Sequence, residues 1–552
     1  MRTLSATILF LCGLLLLCPA PAMAQHGHGD AGIATELHPG LGSYHHPITT
    51  RHAEAQTYFD QGLMLLYGFN HAEAARYFRR AAQLDPEAPM PYWGLALSIG
   101  PNYNDTEVDQ ARAQATYDAV RKAVANAPRG SAREQDYIRA LARRYPSPKA
   151  DSDWQQSHLD YSNAMRELVS QYPDDLDAAT LFAESLMMLR PWQLWTLDGQ
   201  PAPGTLELVA VLESVLKRNP DHPGANHFYI HAVEASPNLE RAIPSAMRLM
   251  HLAPGAGHLV HMPGHIFLQT GDYELASETN LNAAAADQAF VQRTGATGIY
   301  PLMYWTHNLH FIAYARAQQG RYAEAKQAAL EMVQNVGDAD LEMQMLEGFL
   351  LYPLMVDLRF HRWDEVLQAP APRNERKLVG AFRHFARALA LAELGRLPEA
   401  EAEHAQFEAL RTAIPGESQY LINNKSVDVL KLASAILDAQ LSWARGDQTK
   451  AIEEWRRAVD LEAALQYDEP PPWYYPVQES LGAALLRAGQ AKEAESVFRT
   501  AILEKRPRDG RLLFGLWQSL LAQDRRDEAV FVEQQFRAAW KEAATDLRIE
   551  DL

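Results

Sequence analysis

Seven histidines in this chain are spaced so that pairs of imidazoles share one face of a helix. His227 and His231 stand four residues apart, as do His261 and His265; His258 and His261 stand three apart, as do His307 and His310. On an α-helix both spacings bring two rings to one side, near enough to share an ion. Glu234 lies two turns beyond His227 on the same side. Imidazole and carboxylate without thiolate suit copper, zinc or iron better than magnesium or calcium. An extracytoplasmic setting puts copper or zinc ahead of iron. The sequence holds no His-Glu-x-x-His motif, no glycine-rich phosphate loop and no Gly-x-Ser-x-Gly elbow. The catalytic route these residues offer is a metal-activated water or a His/Glu acid–base pair, with Glu234 as the base.

The elements that must position these residues repeat at about 34 residues. A unit starting at Ala55 places Gly62, Ala74, Phe78, Ala81 and Pro86 at positions 8, 20, 24, 27 and 32. A unit starting at Tyr475 places Gly482, Ala494, Phe498 and Ala501 likewise, with Gly489 in the turn. A unit from Leu432 carries Ala439, Ala451, Trp455 and Ala458, with Gly446 in its turn. These small and aromatic residues resemble the tetratricopeptide repeat (TPR) superfamily, over nearly all the chain after its leader. The resemblance implies an all-α, right-handed TPR solenoid, here of roughly ten to thirteen helical hairpins. Ala, Leu, Glu, Arg and Gln dominate and strand signals are scarce, which agrees with helices throughout. Each hairpin leaves an apolar face that only its neighbours cover, so the units stack into one superhelix.

Two units abut in the middle, 223–256 and 257–290, and a third starts near Thr306. In the leading helix of such a unit, positions 2, 5, 9 and 12 fall in one arc turned from the core toward the hollow of the superhelix. His227, His231 and Glu234 take positions 5, 9 and 12 of the first unit. His258, His261 and His265 take 2, 5 and 9 of the second, and His307 and His310 take 2 and 5 of the third, with Tyr314 at 9. Seven of the twenty histidines thus fall on twelve such positions, where random scatter would place less than one. Tyr314, Asn308 and Glu184 are further candidates to complete a shell or to orient the rings. Two readings stay open for this face: a transition-metal site, or a groove whose imidazoles donate to an anionic peptide or metabolite. Single buried histidines are also common packing residues.

More narrowly, the chain resembles large secreted bacterial TPR proteins with His-rich repeats and no assigned function. The stretches that carry this likeness are 226–237, 257–266 and 469–474. The superfamily likeness implies binding of a protein or peptide partner by the concave face. Ordinary TPR grooves use Lys, Arg, Asn and aromatic side chains there, and the dense histidines depart from that pattern.

The two ends and the charge complete the reading. Residues 1–24 look like a signal peptide: Arg2, an apolar run from Ile8 to Leu17, then Ala22-Met23-Ala24 before Gln25. Both cysteines, Cys12 and Cys18, lie in that segment, so the mature chain is expected to have no thiolate ligand and no disulfide. A periplasmic or secreted product without membrane insertion follows. Residues 25–50 read as a flexible Gly- and His-containing tail, with His26, His28, His45 and His46 able to recruit cations. Residues 51–220 read as N-terminal repeats, 221–335 as the His-rich centre and 336–552 as C-terminal repeats. Two long interruptions, 190–204 with Trp192 and Trp195, and 467–476, read as ordered loops at the groove mouth or as aromatic plugs. The net charge of −18 argues against nucleic acid as a partner.

Overall fold

The computed structural model describes residues 32–150, 153–504 and 507–552. The signal-like segment, His26 and His28 lie outside them. The regular elements of the described residues are helices, apart from one two-residue β-hairpin, Gln419–Tyr420 with Asn424–Lys425. The helices stack as antiparallel pairs, for example Ala53–Tyr67 with His71–Leu84, Lys377–Glu393 with Leu397–Ala413, and Gly510–Ala522 with Arg526–Ala539. The fold is an all-α TPR-type superhelix, and one apolar core runs from Ala34 to Trp540.

The small residues at position 8 explain the stacking. A Cβ on Gly62 would lie 2.9 Å from the Phe78 ring, and one on Gly94, in the next hairpin, 2.5 Å from it. The position-24 aromatic therefore wedges between its own hairpin and the next, and both helices must present a bare backbone to it. Phe498 sits in the same way between Gly482 and Gly515. The turn glycines Gly271, Gly320, Gly446 and Gly489 all take left-handed backbone, with φ from 75 to 84°, which L-residues with side chains avoid.

Two features depart from the sequence reading. The tail is not loose over its described part. Tyr44 and Tyr67 donate to Oδ1 of Asp177 at 2.8 and 2.5 Å, His46 Nδ1 meets the other carboxylate oxygen at 2.6 Å, and His45 meets Asp60 at 2.8 Å. Farther back, Gly40 O accepts from Gly255 N. Asp177 and Asp60, on the repeats, thus hold the tail through Tyr44, His46 and His45.

The second is that the hollow at the central repeats, expected as a groove or partly closed cavity, is filled. Phe69 and Tyr103 enter it from the N-terminal repeats, Trp192 from the first long loop and Tyr304 from the centre. Arg508 pairs with Asp272, and Ala544 N donates to Gly320 O, so the C-terminal repeats also close against the centre. Among the described residues no helix is long and apolar enough to cross a membrane.

Candidate metal centre

Three consecutive leading helices carry the histidines: Pro223–Val233, the pair Gly257–His261 and Pro263–Gln269, and Thr306–Gln318. The first is started by Pro223 and by His222, whose Nδ1 caps Ala225 N at 3.2 Å. The second is interrupted because Pro263 has no N–H to give to Leu259 O, although Met262 keeps helical angles. The third is entered through a wide π-helical turn, Tyr300–Trp305, that lays Tyr304 against His258 at 4.9 Å.

Six of the seven predicted rings come together. His227, His231 and His258 form one group; His261, His265 and His307 form a second; in each, one nitrogen per ring lies within 4.8 Å of the others. The groups touch, with ring centroids 5.5 Å apart for His258 and His261 and 5.7 Å for His231 and His265. His307 is half-buried, while the other five are between 0 and 4 % exposed.

Four rings are held by one nitrogen in a way that fixes the tautomer. His227 Nδ1 donates to Tyr67 O at 2.5 Å, His231 Nδ1 to Glu234 Oε1 at 2.8 Å, and His265 Nδ1 to Glu234 Oε2 at 2.5 Å. His261 Nδ1 meets Asn280 Oδ1 at 2.7 Å; Asn280 Nδ2 is committed to Ala276 O, which makes Oδ1 the acceptor. Each acceptor forces the proton onto Nδ1 and leaves a lone pair on Nε2. The Nε2 atoms of His227, His231 and His258 have no hydrogen-bond partner among the described residues. A buried acceptor left unmet costs about 1–3 kcal/mol. The Nε2 atoms of His261 and His265 face each other at 2.8 Å, the distance of a shared proton; as ligands of one metal ion they would stand about 3.4 Å apart.

The electrostatics favour neutral ligands. Burial, reinforced by neighbouring imidazoles, holds His227, His258, His261 and His307 well below the usual histidine range. Burial lowers His265 as well, with Glu234 partly opposing. Burial disfavours the Glu234 carboxylate, but His231 and His265 outweigh it and keep that group ionised. Neutral imidazoles oriented by a carboxylate, a carbonyl and an amide are the donor set that zinc and copper sites use.

Several expectations are corrected. Glu234, expected as a general base, has both oxygens engaged by imidazole N–H groups. His310 turns away from the cluster onto Tyr352 and Phe349, with centroids at 4.4 and 5.7 Å, because the next hairpin presents aromatic rings on that side. Asn308 donates to Asp287 at 2.7 Å, and Glu184 pairs with Arg144 at 3.1 Å. Tyr314 is buried toward Tyr352 and Arg359. Both long loops reach the cluster: Trp192 packs on His231 and Tyr103, and Gln269, which donates to Glu234 O, also reaches Tyr467 and Glu469.

Sequence reasoning missed Asn280, yet a signal was there. It stands at position 24 of its unit, where an aromatic is expected, and faces Gly264 at position 8. A Cβ on Gly264 would lie 2.4 Å from Asn280 Nδ2. The slot that holds Phe78 in the first repeat here holds an amide that anchors His261.

No family model matches the chain, and no curated protein matches it. Solved structures similar to it include the APC/C hetero-tetramer Cut9-Hcn1, at 11% identity over 90% of this chain and 75% of that one, with a TM-score of 0.29. The yeast Tom70 is similar at 10% identity over 88% of this chain and 90% of that one, again with a TM-score of 0.29.

Proposed function

We propose that this protein binds a transition metal, copper or zinc, in the buried histidine cluster of a TPR-type scaffold, for metal handling or metal-dependent chemistry. The observation that carries the reading is the set of Nε2 lone pairs, four of them fixed by a hydrogen bond at Nδ1, gathered in one buried place. His227, His231, His258, His261, His265 and His307 would hold the ion, and Glu234, Asn280 and Tyr67 O would orient the rings. A bound ion supplies Lewis acidity or, if copper, redox chemistry. The signal-like residues 1–24 support export to the periplasm or beyond. The test is elemental analysis of protein purified from its native compartment, repeated with His227, His231, His261 and His265 changed to Ala. Stoichiometric metal that the substitutions abolish supports the reading; metal-free native protein rejects it.

A second reading, a scaffold for protein or peptide partners, is supported by the solenoid itself, an architecture suited to partner binding. Since the central hollow is filled, a partner would dock elsewhere. A cavity of about 90 Å³ in the C-terminal repeats, lined by Trp443, Tyr475, Arg487 and Leu552 among others, is a candidate. Partner capture that survives both chelation and the histidine substitutions would favour this reading, and metal-dependent capture would count against it.

A further inference from the structure

The six clustered imidazoles divide along the repeat. His227 and His231 take positions 5 and 9 of their unit; His261 and His265 take the same positions one 34-residue period later. Each pair is completed by the ring at position 2 of the next leading helix, His258 for the first and His307 for the second. The repeat has therefore built the same three-imidazole arrangement twice, on successive turns of one scaffold.

The anchoring repeats too. In each triad both members of the four-spaced pair have Nδ1 hydrogen-bonded: Tyr67 O and Glu234 serve the first, Asn280 and Glu234 the second. Glu234 is common to both, with Oε1 on His231 and Oε2 on His265. The remaining ring of each triad, His258 or His307, has no such anchor among the described residues. Three nitrogens on one ion at 2.0–2.1 Å lie about 3.4 Å apart in a tetrahedral site. The observed nitrogens lie within 4.8 Å of one another; to reach that spacing the His261–His265 pair, at 2.8 Å, must open while any wider pair closes. One four-coordinate ion cannot use six imidazoles, and the Nε2 atoms of the first triad have no partner in the second.

We infer that the chain holds two transition-metal ions in adjacent three-imidazole sites, His227/His231/His258 and His261/His265/His307, with Glu234 as the carboxylate that orients one ring of each. This rests on the metal-binding reading above and adds the number and partition of the ions. The ions differ in access: the first triad is fully buried, whereas the second opens at the half-buried His307.

The full chain, produced in zinc-supplemented medium and freed of loose ions by gel filtration, should carry two Zn²⁺ per chain by elemental analysis. The double variant H227A/H258A should keep one, and so should H261A/H307A, each checked for its helical circular dichroism signal and melting transition. One Zn²⁺ in the wild-type chain overturns the pairing and leaves metal binding standing; none overturns both. A folded double variant that loses both ions, or neither, shows that the triads are not separate sites and also overturns the inference. A wild-type count other than two overturns the inference whether or not either variant folds.

Discussion

Replacing Glu234 with Gln changes one atom and tests the whole electrostatic arrangement. The carboxylate accepts from His231 at 2.8 Å and from His265 at 2.5 Å. A glutamine has one oxygen and one NH₂, so it can accept from only one of these rings. The other ring meets a donor and must turn its Nδ1 lone pair toward it, which moves its proton to Nε2. That ring then presents N–H where a ligand lone pair is needed. Loss of such an orienting partner costs about 10- to 100-fold in metal affinity, or about 1.4–2.8 kcal/mol. A competition titration of Zn²⁺ against a chromophoric chelator, with wild-type and E234Q protein, measures this directly. The helical signal should be unchanged, since the side chain keeps its volume. Affinity within threefold of wild type would refute the claim that Glu234 fixes the ligand tautomers.

Three further outcomes are expected. G264A forces a Cβ to within 2.4 Å of Asn280 Nδ2; overpacking should cost about 1–3 kcal/mol of stability and weaken Zn²⁺ binding as Asn280 leaves His261, read by thermal melting and the same titration. The metal-free protein should lose stability on acidification. Below pH 6.5 the unfolded chain takes up protons that the buried neutral rings refuse, so each such ring removes about 1.4 kcal/mol per pH unit. For His310, held down to about 3 by burial, the loss continues to that pH; denaturant titrations that show flat stability between pH 7 and 5 would contradict this. Far from the cluster, Glu479 is fully buried and accepts from Arg359 at 2.5 and 2.8 Å and from Arg511 at 3.0 Å. E479A should cost about 3–5 kcal/mol in denaturant unfolding while leaving the metal stoichiometry unchanged.

The repeat was legible because its determinants are local. Gly62 and Phe78, or Gly482 and Phe498, lie 16 residues apart and meet within one hairpin. The gathering of six imidazoles was legible for the same reason, since register alone decides which side of a leading helix a residue occupies. What covers them was not legible. Phe69, Tyr103, Trp192 and the loop at 467–469 reach the centre through the curl of the whole solenoid, which accumulates small rotations that no local spacing encodes. Hence the sequence pointed to a groove or partly closed cavity without showing what fills it. His310 was misplaced because its surroundings are set by Phe349 and Tyr352 of the following hairpin, whose irregular entry does not follow the period.

The roof over the histidines has a temporal meaning. Its parts span the chain from Phe69 to Glu469, so the chamber cannot be finished until most of the polypeptide has been made and has curled round. A guest that reaches the fully buried first triad while only the middle hairpins exist would be walled in by later arrivals. Its departure would then wait on the parting of distant segments, and a stripping rate that rises without limit as chelator is added would argue that the wall is no barrier.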